Sequence, residues 1–293
     1  MHKYLKAIGF DREDHKQEVN SIVRTASKNF HFQELAALDQ EVDFSQFRLE
    51  YSSGIGISVC GTMDENERFT YSYYFPYFAG TGITSTADIV IKKKMDKEAF
   101  VGICEDSKVG ISLMFYLQNV SEYISVRGKS GSRIKFNSVT FSGLCNKGMV
   151  LLPIQKSTEM KKKSKEKARN RMMLLSAARN GDVNAMESLT IDDMDMYTKV
   201  SKRLVKEDVF TIVDTYIMPY GIECDCYSIL GEILDIHKTV NKITKESLYV
   251  LKLDVNELQF DVCVPEKEVF GEPEIGRRFK GNIWLQGRVS FDA

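Results

Sequence analysis

The alternation over Arg278–Phe291 constrains this chain more than any other stretch. Phe279, Ile283, Leu285, Val289 and Phe291 fall on one side, with Gly281 and Gly287 between them. Arg278, Lys280, Asn282, Trp284, Gln286, Arg288 and Ser290 fall on the other. A period of two sustained over such a length predicts a long strand with one apolar face. Two glycines on that apolar face mark where a sheet bends sharply on its way round a small barrel. Companion strands are predicted at Tyr227–Ile236, Leu248–Val255 and Leu258–Val264, the last two joined by a short turn at Asn256-Glu257. Residues 207–293 are therefore expected to form a small OB-like β-barrel. Asp208–Thr215 fits a strand or a helix.

A chain of 293 residues has room for about two domains, and the pattern changes twice along it. Residues 1–155 open with an amphipathic helix over Glu13–Phe30, whose Val19, Ile22, Val23, Ala26 and Phe30 follow helical spacing. Alternating runs then centre on Phe47, Leu49 and Tyr51, on Ile55, Ile57 and Val59, and on Phe69, Tyr71, Tyr73 and Phe75. Asp64-Glu65-Asn66-Glu67 reads as a hairpin turn between the last two. Further strands are predicted at Asp88–Lys92, Ala99–Cys104, Gly110–Leu117, Ile134–Phe141 and Met149–Ile154. Short strands joined by tight polar turns predict an antiparallel meander.

Residues 156–206 read as a helical connector. A helix over Lys161–Arg179 carries Ala168, Met172, Leu175 and Ala178 on one face, and Gly181 stops it. Asp182 is placed to cap a second, short helix through Leu189. Thr190 and Asp193 form a near capping box for a third, with Ile191, Met194, Tyr197, Val200 and Leu204 at spacings of three and four. The expected class is α+β: an antiparallel β-rich part, a helical connector and a small barrel.

Hydrophobic residues make up 43% of the chain and charged residues 28%, which excludes a disordered chain, a collagen repeat and a small disulfide scaffold. The first residues lack the apolar run of a signal peptide. No apolar run approaches the roughly 20 residues that a membrane-spanning helix needs. A cytoplasmic protein without a membrane association is expected. Its six cysteines, Cys60, Cys104, Cys145, Cys224, Cys226 and Cys263, are then expected to be reduced thiols. Cys224 and Cys226 are spaced C-x-C, unlike the C-x-x-C of zinc ribbons, and the four histidines are scattered, so no metal site is assigned.

Glycine-rich phosphate loops fail on their spacing. Gly128-Lys129-Ser130 resembles the tail of a P-loop, but Tyr123 stands where the first glycine belongs. Gly54-x-Gly56 and Gly80-x-Gly82 have Val59 and Ser85 in place of the third glycine of a dinucleotide fingerprint, and all three read as turns. No nucleophile elbow, zinc-protease helix or kinase signature is present. The acidic clusters at residues 64–67 and 192–195 read as a turn and a helix start. No catalytic residue and no cofactor is assigned.

Two features point to nucleic acid. Lys+Arg number 40 against 41 Asp+Glu, yet residues 156–179 hold nine basic and two acidic residues, leaving the remaining chain at −8. Lys161, Lys162 and Lys163 lead this segment and would pair with phosphates; the same residues also make an ordinary solvated helix. On the last strand, Arg278, Lys280 and Arg288 flank Trp284, the one tryptophan. Basic side chains beside an aromatic platform suit single-stranded nucleic acid, whose bases stack while its phosphates pair. An alternating solvent face, or a tryptophan packed under the helical part, has the same pattern. Dedicated nucleic-acid binders are usually basic overall, which this chain is not.

Five stretches carry a resemblance: HKYLKAIGF from His2, GISLMFYLQN from Gly110, AARNGDVNAMESLT from Ala177, EDVFTIVDTYIMPYGIECD from Glu207 and RFKGNIWLQG from Arg278. In them the chain resembles, over its whole length, a family of uncharacterised proteins from anaerobic Gram-positive gut bacteria, classed as a domain of unknown function. The resemblance implies a bacterial, soluble protein and brings no activity or site residue. The leading reading is a non-enzymatic binding or adapter protein with an unidentified protein partner. Single-stranded nucleic-acid binding through the barrel face and an enzyme acting on a small molecule are the alternatives. Oligomeric state is left open.

Overall fold

The computed structural model describes residues 2–11, 14–38, 41–94, 99–130, 135–154, 166, 169–171, 173–178, 180–205 and 207–291. It is an α+β fold in which strands predominate. A 3₁₀ helix, Lys3–Ile8, ends at Gly9, whose φ of 90° lets its N–H turn back to the Leu5 and Lys6 carbonyls. Helix α1 (Lys16–Thr25) follows, shorter than the expected Glu13–Phe30; Glu13 lies outside the described residues. Val19 and Ala26 are buried, as their spacing predicts, while Phe30 lies beyond the helix against Phe47.

Strands β1 (Phe32–Ala37), β2 (Val42–Ser52), β3 (Ile55–Asp64) and β4 (Phe69–Phe78) form a four-stranded antiparallel meander in that order. The β3–β4 turn lies at residues 64–67, with the Asp64 carboxylate accepting from the Asn66 and Arg68 N–H groups. A second meander is made by β5 (Ile89–Lys93), β6 (Phe100–Cys104) and β7 (Leu113–Leu117). Helix α2 (Val120–Ser130), absent from the sequence expectation, packs beside β1.

Strand β8 (Phe136–Leu151) joins into one element the two strands expected at Ile134–Phe141 and Met149–Ile154. Gly143 and Gly148 interrupt its apolar pattern because side chains of the neighbouring strand β14 (Arg278–Phe291) occupy the space: a Cβ on Gly148 would stand 2.2 Å from the Phe279 ring. Among residues 166–178 those described are helical. Helix α3 (Val183–Leu204) is a single helix where two were expected. Asp182 caps it through the Asn184 and Ala185 N–H groups, but the Thr190 hydroxyl donates to the Met186 carbonyl inside the helix instead of starting a new one. Asp208 caps the single turn α4 (Val209–Ile212), and β9 (Tyr216–Pro219) follows, so Asp208–Thr215 is a helical turn leading to a strand.

β10 (Cys226–Val240), β11 (Ser247–Val255) and β12 (Leu258–Pro265) make an antiparallel meander, with Asn256 and Glu257 at φ 52° and 65° in the tight turn. Such a pair of positive φ values matches the twist of the flanking strands. The short β13 (Val269–Phe270) runs parallel to β8. β14 pairs antiparallel with β8 from Arg278 to Phe291, while its other edge meets β10 and then, in parallel, β7. β8 in turn runs parallel to β12. The pairings β8–β12–β11–β10–β14–β8 therefore return on themselves, and all belong to one ten-stranded sheet. Strands 207–293 do not complete this circuit alone: β8, from 136–151, is needed. Parallel pairings, unexpected from the short turns, join the meanders to one another.

The four-stranded sheet packs on the large one through rings such as Phe75 against Tyr116 at 4.8 Å. At their junction lies a buried polar seam. Gln286 of β14 donates to the Pro76 carbonyl and accepts from the Phe78 N–H and from Gln118, which also donates to the Phe78 carbonyl. Gln46 of β2 donates to the Gln118 carbonyl and to Ser58. Gln286→Leu leaves the Phe78 N–H and the Pro76 carbonyl without this partner. A loss of about 1–3 kcal/mol for each group left unpaired is expected, read as a lower urea midpoint.

The two glycines of β14 sit under aromatic rings. A Cβ on Gly287 would stand 2.4 Å from the Phe115 ring, and one on Gly102 of β6 would stand 2.0 Å from the same ring. Gly281 coincides with a register shift against β8. Gly102→Ala is therefore expected to cost about 1–3 kcal/mol through overpacking, and Phe115→Leu in the same chain should recover part of it. Additive losses in the double variant would contradict the contact.

Candidate functional site

Cys226 pairs with Trp284 across β10 and β14, and two residues further along β14 Gln286 pairs with Tyr116 of β7. Residues two apart on a strand share a face, so these two pairings set Trp284 beside Tyr116, their ring centroids 4.9 Å apart. The 3₁₀ helix closes over the same place. Tyr4 stacks on Trp284 at 5.6 Å and 18°, and the His2 ring lies 4.6 Å from it. Asn146 holds this helix by the Lys3 carbonyl, Asn241 by the Ile8 carbonyl, and the Cys263 thiol donates to the Ala7 carbonyl.

The resulting cavity, about 580 Å³, is lined by His2, Lys3, Tyr4, Lys94, Tyr116 and Trp284 together with residues 222–225. Lys3 bonds to Glu223, and Lys94 stands 3.4 Å from Asp225. The side-chain oxygens of Glu223 and Asp225 and the Cys226 sulfur all lie within 4.8 Å of one another. Cys226 donates its thiol proton to Glu223 at 3.1 Å and lies 3.4 Å from the Tyr4 hydroxyl. Both lysine ammoniums face aromatic rings as well, Lys3 over Tyr4 at 5.1 Å and Lys94 over Tyr116 at 5.3 Å.

The protonation states follow from burial. It pushes the Cys226 thiol up to about 12 and the Tyr4 and Tyr116 phenols well above their usual range. The bond from Lys3 holds the Glu223 carboxyl below the ordinary carboxylate value. Burial lowers His2 to about 4; its Nδ1 accepts from the Tyr4 N–H, so the neutral ring carries its proton on Nε2. At neutral pH the lining therefore presents neutral rings and thiol with two carboxylate–ammonium pairs. The three nearby ligand atoms of Glu223, Asp225 and Cys226 are of kinds that bind metals, but the carboxylates are already paired with lysines.

A larger cleft of about 820 Å³ holds Asp214, Glu232, Asp254, Glu257 and Glu274 with Arg277 and Arg278. It has no aromatic wall, and its arginines are engaged: Arg277 pairs with Glu274, and Arg278 donates to the Leu152, Val213 and Phe210 carbonyls.

The residues singled out on the last strand are not gathered on one open face. Arg278 is 6% exposed and Trp284 4%. Lys280 stands over the Phe210 ring at 4.3 Å, and Arg288 pairs with Glu122 at 3.3 Å. The four-stranded sheet and the 3₁₀ helix cover the middle of the polar side, which is why Trp284 and Gln286 are buried. Lys161, Lys162 and Lys163 lie outside the described residues. The glycine pairs have structural roles: Gly54 turns the β2–β3 hairpin at φ 67°, Gly80 lets its segment pass the Phe141 carbonyl, and Gly128 lies within α2. Sequence reasoning picked out Trp284 and the C-x-C pair but not His2, Lys3, Tyr4, Lys94 or Tyr116. The one local signal was the density of dissimilar reactive side chains in His2-Lys3-Tyr4 and in residues 223–226.

Because His2 is neutral when folded and has a reference value of 6.5, the unfolded chain takes up a proton as pH falls through 6.5, whereas the folded chain does so only near 4. Its contribution to stability is thus present above 6.5 and is lost as pH falls toward 4. His2→Gln is expected to flatten the stability profile between pH 6.5 and 4, measured by urea unfolding; an identical slope in both proteins would refute the assignment.

A family model described as "Domain of unknown function, E. rectale Gene description" (DUF3881) matches residues 5–287. No curated protein and no solved structure matches the chain. Among the described residues no helix is long and apolar enough to cross a membrane.

Proposed function

Since the chain belongs to the DUF3881 family, a domain of unknown function, we propose its role from the site itself: a ligand-binding protein that holds one small polar molecule at the Trp284 pocket. The observation that carries this reading is the cavity of about 580 Å³, a size that suits a small ligand, with aromatic walls and a few convergent charges. The protonation states favour binding over catalysis. A thiol near 12 holds little thiolate at neutral pH, and an imidazole near 4 is a weak base where one near neutrality works best.

The circuit of five strands supports a small OB-like barrel, with β8 supplying the strand that 207–293 lack. A bacterial, cytoplasmic setting is in keeping with the free thiols of all six cysteines. Nucleic-acid binding through Arg278, Lys280, Trp284 and Arg288 has less support, because a base needs an open ring face and Trp284 has none.

The test is a titration with amino acids, carboxylates, sugar phosphates and amines, followed by Trp284 fluorescence and by thermal unfolding. At least one class is expected to give a saturable change in both, since a ligand bound only by the folded state raises the melting temperature. Flat responses to every class at millimolar concentration would remove the pocket as a binding site.

A further inference from the structure

We infer that the Trp284 pocket is an ammonium site that the chain fills with its own Lys94, and that its ligand is a small amine which takes that lysine's place beside Asp225 and Tyr116. The inference rests on the binding role proposed above and names the class of ligand.

Three observations converge. The Asp225 side chain is 5% exposed, yet the Lys94 ammonium approaches it only to 3.4 Å, against about 2.7–2.9 Å for a well-made charge-assisted bond. Asp225 is therefore a buried carboxylate with acceptor capacity to spare. Next, the Lys94 ammonium sits 5.3 Å from the Tyr116 ring centroid, so carboxylate and aromatic face are disposed round one cation. That combination recognises ammonium ligands. Finally, Glu223 and Asp225 offer carboxylate oxygens within 4.8 Å of each other, and of these two carboxylates Lys3 bonds to Glu223, its ammonium also reaching the Cys226 sulfur at 3.9 Å. Without Lys94, the pocket holds two carboxylates, one ammonium and a neutral His2, a net charge of −1 that attracts a cation.

Lys94 is able to leave Asp225. Its side chain is 43% exposed and follows the end of β5, and an ammonium released there returns to water. An anionic ligand would have the opposite effect. It would draw Lys94 away from Asp225 and leave a buried carboxylate without its cation, which is strongly unfavourable.

The direction of one mutational effect separates the two cases. Tetramethylammonium, methylammonium and putrescine, with acetate and phosphate as anionic probes, are titrated into the wild-type chain and Lys94→Ala while Trp284 fluorescence is read. A site filled nine times in ten by its own lysine binds about tenfold more weakly than an open one, so an amine is expected to bind Lys94→Ala about tenfold more tightly. Amines that bind Lys94→Ala no better than wild type, or not at all, overturn the inference. Anion binding that Lys94→Ala abolishes also overturns it and leaves the binding role standing, whereas silence from every probe in both proteins overturns it and leaves the binding role to the wider titration described above. Lys94→Gln, which keeps a polar stem beside Asp225, carries the same expectation where Lys94→Ala does not fold.

Discussion

Strand β14 is paired on both edges. β8 follows it along its whole length, and β10 and β7 divide its other edge between them. Its apolar face is closed by Phe115 and the core, and the middle of its polar face by the four-stranded sheet and the 3₁₀ helix. Where the polar face is covered, water cannot satisfy the buried Arg278 and Gln286 side chains, so each must find a partner within the protein. Arg278 finds backbone carbonyls beyond β8 and around α4, and Gln286 finds the backbone of β4. These side chains thereby specify how the exit of β8 and the four-stranded sheet seat on the large one.

The candidate site is a consequence of the same register. Trp284 pairs with Cys226 and its neighbour Gln286 with Tyr116, so the floor, one wall and the acidic rim are all set from one strand. The 3₁₀ helix then completes the enclosure, anchored by hydrogen bonds to β8, β12 and the β10–β11 connection. Residues that are remote in sequence become neighbours because the meanders β5–β7 and β10–β12 both pair with β14, not because any local motif brings them together.

This explains what could be read in advance. Alternation located most strands, and the turns at 64–67 and 256–257 and the caps at Gly181 and Asp182 were legible because each depends on a few adjacent residues. Elements governed by distant partners were not. β8 reads as two strands because its glycines answer to Phe279 and other side chains across the sheet, and the sequence leaves the burial of Trp284 open because what covers it comes from His2, Tyr4 and Tyr116, all remote in the chain. Alternation tells which side chains share a face; it does not tell whether a second layer lies on that face. The pocket's lysines were invisible as well, because no motif sets Lys3 apart, or Lys94 within the run Lys92-Lys93-Lys94, from the many other lysines of the chain.

The arrangement around Asp225 is costly for a fold that needed only stability. A buried carboxylate held by one half-exposed ammonium gains less than a well-packed apolar residue would give there, and Glu223 close beside it adds like-charge repulsion. Two other buried carboxylates are held more closely: Asp261 receives both the backbone N–H and the hydroxyl of Thr81 at 2.6 Å, and Asp106 takes the Ser85 hydroxyl at the same distance. A local rule relaxed at one buried carboxylate and kept at two others is a sign that the first serves something other than folding. Here the relaxed group faces a cavity lined with aromatic rings, and a cationic ligand is what would complete it.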